Sequence, residues 1–288
     1  MKTNFKHLAL FLAFTGLLTS CNDDDSTNDG SLDGTFGDVE LFFDNGVNGD
    51  ALVLGSSYTN SNGETLTINR FNYIVSNVVL IKEDGTEFTY PKNESYFVIS
   101  EETEAFTVHL ENVPAGDYKQ VKFGIGVDQQ RYLEGETAQQ EFWNLASANN
   151  MVWTWSTGYR FINFEGTFNT ATHANRHEEP GNPEPGEGGM YNFQIHQGSN
   201  SATDNYRQIT LNLPSTARVR TNEMPNIHLV ADANVIADGT NKIILHDNLN
   251  TAGTNASIMG GENLIKIATN SLNMFTVDHV HNGAGSHH

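Results

Sequence analysis

The chain carries 11 His, 3 Trp and 1 Cys, and these are the side chains with the most distinctive chemistry to offer. Imidazole nitrogens suit copper, zinc and nickel. The clearest pair lies in F-T-V-D-H-V-H-N, Phe275 to Asn282. Alternation along a strand puts Val277, His279 and His281 on one face and Asp278 and Val280 on the other, so two imidazoles at i and i+2 can converge on one ion. In M-Y-N-F-Q-I-H-Q-G, His196 shares a face with Gln194 opposite Phe193 and Ile195, a polar position in an otherwise apolar strand. His173 and His177 sit four apart, a spacing that chelates on a helix, but the Pro and Gly around them argue against a helix. His109, beside Thr107 and Glu111, reads as solvated, and His228 and His246 have no sequence neighbours that raise them above ordinary structural histidines.

Two tryptophans stand at alternate positions in M-V-W-T-W-S-T-G-Y-R-F-I-N-F-E, Met151 to Glu165. As a strand, this stretch lines Met151, Trp153 and Trp155 on one face and Val152, Thr154 and Ser156 on the other. Gly158 then breaks or bulges it before Tyr159, Phe161 and Phe164. Residue type alone assigns such a stripe to a sandwich core. On an open face, Trp153, Trp155 and Tyr159 would instead form a stacking platform for a surface glycan or protein ligand. No nucleophile constellation accompanies them: serines lie in no G-x-S-x-G context, and without C-x-x-C-H the chain attaches no c-type haem. The expectation is a binding protein and not an enzyme.

The elements that must position these groups read as antiparallel β from Phe36 onward, with period-two runs separated by N-G, N-G-D, S-N-G-E and E-D-G-T turns. Leu66 to Ile81 is too long for one straight strand and predicts a bend or bulge near Ser76 and Asn77. Helical spacing marks Glu136 to Ala148, with Ala138, Phe142, Leu145 and Ala146 on one stripe, and a second, weaker helix over Glu262 to Asn273. The stretch from Asn169 to Gly189 reads as a long surface loop. These signals predict an all-β fold, an antiparallel β-sandwich of Ig-like or jelly-roll-like type with one or two short accessory helices.

The N-terminal region lies outside that sandwich. Residues 1–20 carry Lys2 and Lys6 and an apolar run from Leu8 to Leu18, the pattern of a signal peptide. L-T-S-C, Leu18 to Cys21, resembles a bacterial lipobox, which implies cleavage before Cys21 and lipid on that cysteine. Residues 21–36 then form an acidic tether, similar to the surface-export signal of Bacteroidota lipoproteins, and residues 37–288 form the folded domain. The expected location is the outer membrane, on its periplasmic side or at the cell surface. A formal net charge of -20 sets the chain against nucleic acid and in favour of cations.

The ordered motifs F-N-Y-I-V-S-N-V (Phe71 to Val78), N-V-P-A-G-D-Y, F-G-I-G-V-D, M-V-W-T-W-S-T-G-Y with F-E-G, F-Q-I-H-Q-G and M-F-T-V-D-H-V-H-N together resemble the MbnP-like family, roughly from Val39 to Asn282. These are copper-binding proteins named for a partner of methanobactin. The resemblance implies copper held by histidines among His196, His279 and His281. It also implies a tryptophan, Trp153 or Trp155, converted to kynurenine by a separate di-haem enzyme of the cytochrome c peroxidase type. An intact indole nitrogen is only a donor, whereas the opened ring exposes an aniline nitrogen that can ligate.

Overall fold

The computed structural model describes Leu32 and residues 34–153, 158–170, 190–200 and 202–283. The chain divides into a segment Met1–Leu32 and a body Asp33–His288, and the described strands and helices belong to the body. Cys21, Trp155, His173, His177, His287 and His288 lie outside the described residues.

The first half of the body holds β1 (Phe36–Val47), β2 (Asp50–Ala51), β3 (Ser57–Thr59), β4 (Glu64–Lys82), β5 (Glu87–Thr89), β6 (Tyr96–Ser100), β7 (Thr107–Pro114) and β8 (Gly116–Ile125). Helices α1 (Gln129–Leu133) and α2 (Gln140–Ala148) precede β9 (Ile162–Thr170), β10 (Tyr191–Gln197), β11 (Arg207–Val219) and β12 (Met224–Asp232). Helix α3 (Val235–Asp238), strand β13 (Asn255–Ile258), helix α4 (Glu262–Asn270) and strand β14 (Phe275–Gly283) complete it. Two sheets form, one ordered β14-β12-β1-β2 with β7 also on β1, the other β11-β8-β4-β9-β10-β13 with β3, β5 and β6 also on β4.

The fold is the expected mostly-β sandwich, with two parallel ladders in otherwise antiparallel sheets: β1 with β12, and β10 with β13. Hairpin turns in the sequence report only antiparallel neighbours, and these two pairings join strands distant in the chain, so no turn announces them. Helices α2 and α4 fall inside the helical intervals read from the sequence, each extended by a 3-10 turn (Glu136–Gln139 before α2, Ser271–Asn273 after α4). The one-turn helices α1 and α3 add to that expectation, because so few residues cannot display a helical period. Strand β4 shifts register between Ser76 and Val79, with Asn77 at φ 50, so the long strand bends where the sequence predicts.

Alternation sets the core between the sheets. Val39, Leu41 and Phe43 of β1 and Ile227 and Leu229 of β12 point inward against Phe71 and Tyr73 of β4, Phe123 of β8 and Phe164 of β9, all fully buried. Phe275 at the start of β14 fits between the sheets, with ring centroids 6.0 Å from Phe43, 5.1 Å from Phe123 and 5.5 Å from Tyr73. A second, smaller apolar cluster lies on the outer face of the nine-stranded sheet. There Ile74, Tyr96 and Val98 are covered by Phe142 and Ala146 of α2 and by Met151, Tyr159 and Phe161. This added layer turns part of an outer sheet face into an interior.

Truncating Phe275 to Ala removes a ring that touches both sheets and leaves a cavity between them, so Phe275→Ala is expected to cost about 3–5 kcal/mol. Urea unfolding of the two proteins measures it, with an unchanged m-value confirming that the native fold survives.

Candidate functional site

Three strands repeat one pattern on the outer face of the nine-stranded sheet: Arg70 and Asn72 on β4, Asn163 and Glu165 on β9, Gln194 and His196 on β10, each pair flanking an apolar residue that points inward. Register aligns them in two rows, Arg70 with Glu165 and Gln194, and Asn72 with Asn163 and His196. Side chains opposite one another across a ladder share a face and touch, so the six form a single polar patch.

The patch is roofed by the described ends of the tryptophan stretch, residues 151–153 and 158–161. A bridge between Val152 and Tyr159, with Trp153 N–H donating to the Gly158 carbonyl at 3.1 Å and Arg160 N–H to the Met151 carbonyl at 2.8 Å, folds it into a narrow hairpin ahead of β9. The face expected for Met151, Trp153 and Trp155 runs into residues 154–157, which lie outside the described residues. Gly158, at φ 142, has the freedom this reversal needs. Asn72 and Asn163 anchor the approach, donating to the carbonyls of Asn149 at 3.2 Å and Asn150 at 3.0 Å, and Arg160 donates to the Asn150 carbonyl at 3.0 Å.

Beneath this roof Trp153 is 8% exposed and His196 3% exposed, their rings edge to face at 5.7 Å. The Arg160 guanidinium lies 5.4 Å from the Trp153 ring on a cation-π contact. Gly198, just past β10, has no room for a side chain: a Cβ there would run into the Tyr159 carbonyl, with the Trp153 indole nitrogen 3.4 Å away. Trp153 is thus enclosed and offers no open stacking platform.

A chain of charge runs under it. Arg70 donates twice to Glu102, at 2.6 and 2.8 Å, and through Nη1 to Glu165 Oε2 at 2.8 Å. The other Glu165 oxygen meets His196 Nε2 at 2.6 Å. Burial pushes the Glu165 carboxyl up, but the His196 bond and the Arg70 and Arg160 charges outweigh it and hold the group below its ordinary value. An ionised carboxylate only accepts, so His196 donates from Nε2 and its Nδ1 carries the lone pair. Burial, joined by the Arg160 and Arg70 charges, lowers the His196 pKa against the pull of Glu165, which keeps the ring neutral. His196 Nδ1 is buried with no hydrogen-bond partner. A histidine whose one nitrogen is fixed by a carboxylate while the other is bare is arranged as metal ligands commonly are.

The sequence signalled Trp153 and His196 but gave no role to Arg70, Glu165, Arg160, Asn72 or Asn163. The available signal was the recurrence of R-F-N, N-F-E and Q-I-H in three strands, each polar on the same alternate positions.

His279 and His281 are elsewhere. Strand β14 pairs with β12 at the edge of the five-stranded sheet and packs beside β11, the far end of the other sheet from His196. Four ladder steps separate β11 from β10, roughly 19 Å at the usual strand spacing. Both histidines also face outward from the five-stranded sheet, with the core between them and His196. The structure does not bring H-V-H to the tryptophan stretch. Among the described residues, no three His, Cys, Asp or Glu side chains already stand as an assembled metal cage.

His196 is expected to titrate below the 6.5 of an ordinary imidazole, and Glu165→Gln to lower it further by removing the bond that raises it. Because the folded chain resists that proton, the His196 contribution to stability is complete above about pH 6.5 and declines as pH falls from there toward the folded value. An NMR titration of the imidazole resonances reads both the position and the shift.

A family model described as MbnP matches residues 36–259. No curated protein matches the chain. Among solved structures, MbnP from Methylosinus trichosporium is similar over 83% of this chain and 97% of that one, at 13% identity and a TM-score of 0.43. The family match takes in the hairpin, the polar patch and His196, stops short of β14, and covers most of the chain: the protein belongs to the MbnP family.

Proposed function

We propose that the protein binds copper outside the inner membrane, capturing or storing it, with His196 Nδ1 as one ligand beside Trp153. Family membership supports a copper-related role of the methanobactin-associated kind. The observation that carries the reading to a site is the bare, buried nitrogen of His196, held neutral and oriented by Glu165 against an enclosed tryptophan. The residues fit copper in part. His196 is a prepared donor, while Trp153 as an intact indole is not one.

Oxidation of Trp153 or Trp155 to kynurenine by a separate di-haem peroxidase-like partner supplies the missing nitrogen in this reading. Bound copper then gains a second donor from the opened ring, while Arg70 and Glu165 keep His196 in the ligating tautomer. The protein itself is a carrier and not an enzyme, tethered to the outer membrane through lipid on Cys21. His279 and His281 take no part in this copper site, since they lie across the core from it.

Protein purified from its native host is expected to contain copper and, by peptide mapping, a Trp153 or Trp155 peptide that has lost one carbon and gained one oxygen. His196→Ala should weaken copper binding by at least tenfold, the order of loss seen even for groups that only support a ligand. Unchanged copper affinity in His196→Ala, or failure of the ring-opened protein to take up Cu(I) or Cu(II), overturns the assignment.

A further inference from the structure

The second concentration of imidazoles lies on the outer face of the five-stranded sheet. Register sets His228 of β12 directly across from His279 of β14, and Asn226 across from His281. The His228 and His279 rings stack with centroids 4.1 Å apart and 20° between planes. His281 follows two residues on, in unbroken register and on the same face, the ladder's bulge lying before His279. No local sequence signal marks His228, because the neighbours that matter to it are about 50 residues away and are supplied by strand pairing.

Three features distinguish this group from surface histidines scattered by chance. His279 Nδ1 lies 2.8 Å from Asp278 Oδ2, which fixes a tautomer with the Nε2 lone pair directed away from that carboxylate. His228 is half-buried, its ring packed between His279 and Phe42, the latter 5.1 Å away between centroids. Asn226 donates to Glu40 at 2.8 Å and leaves its own Oδ1 buried and unpartnered at the position opposite His281. A water on a nearby cation is one donor that would satisfy it.

We propose that His228, His279 and His281 form a second metal site for a divalent, imidazole-preferring ion, Cu(II) ahead of Zn(II) by the general affinity order. Lone pairs lie in the ring planes, so the stacked rings hold theirs in nearly parallel planes, and a turn of the exposed His279 ring out of the stack brings both onto one ion. His279 and His281 are exposed and complete the site by side-chain rotation, without backbone movement. Asp278 acts as the outer carboxylate, and the net charge of -20 favours cation approach. Two of its three ligands, His279 and His281, lie beyond the residues matched by the family model, and the site does not depend on the copper reading at His196.

The test uses the full chain with His173, His177, His287 and His288 changed to Ala, so that loop and tail histidines contribute nothing. Cu(II) and Zn(II) are titrated calorimetrically, and imidazole nitrogens are counted in the Cu(II) EPR spectrum. Adding His196→Ala should leave this ion in place, whereas His279→Ala and His281→Ala, both at exposed positions, should each lower affinity by tenfold or more and reduce the nitrogen count. Asp278→Asn should weaken binding by about tenfold while leaving the count intact. The proposal is overturned if the parent binds neither ion once His196 is removed, or if His279→Ala and His281→Ala bind as the parent does.

Discussion

A single carboxylate organises the candidate copper site. Glu165 accepts from Arg70 on one oxygen and from His196 on the other, and both bonds are short and partly buried. The His196 bond and the Arg70 and Arg160 charges together hold the partly buried carboxylate ionised, and without Glu165 the imidazole would have no fixed tautomer. The pair therefore solves two problems at once. It stabilises a polar group beneath an apolar roof, and it leaves one imidazole nitrogen with nothing to bond. Buried polar atoms are nearly always paired, so an unpaired one beside an enclosed tryptophan points to function.

The roof exists because the outer face of this sheet is not left to water. Helix α2 and the hairpin that follows it pack over Ile74, Tyr96 and Val98, and the small core they form carries the tryptophan stretch across the polar patch. Asn72 and Asn163 serve both layers: they belong to the patch by register and hold the chain before the hairpin by hydrogen bonds to its carbonyls. Packing and site are thus one construction. Loss of the roof would expose His196 and remove the reason for its neutral state.

The two histidine-bearing regions illustrate how the same residue type is used differently on the two sheets. His196 is buried, fixed by a charge network and adjacent to an aromatic ring, the setting of a selective site. His228, His279 and His281 lie on a solvent-facing sheet surface, where exchange with free ions is unobstructed. A sandwich core separates them, so they act independently.

Much of the fold was legible from local pattern. Period-two alternation gave the strands, and turn residues gave most of the antiparallel connections. The length of the run from Leu66 to Ile81, with Ser76 and Asn77 within it, placed the bend in β4, and helical spacing placed α2 and α4, because each is a property of neighbouring residues. The sequence by itself also singled out Trp153 and His196 and set His279 and His281 on one strand face. Only the tertiary structure decided that Trp153 meets His196, that Arg70 and Glu165 stand behind it, and that the closing H-V-H faces His228 instead. Those outcomes depend on strand order and register, which are fixed by how two sheets bury their apolar faces together. No window of sequence contains that information, since a strand's inward face shows which residues are buried but not which strand will lie beside it.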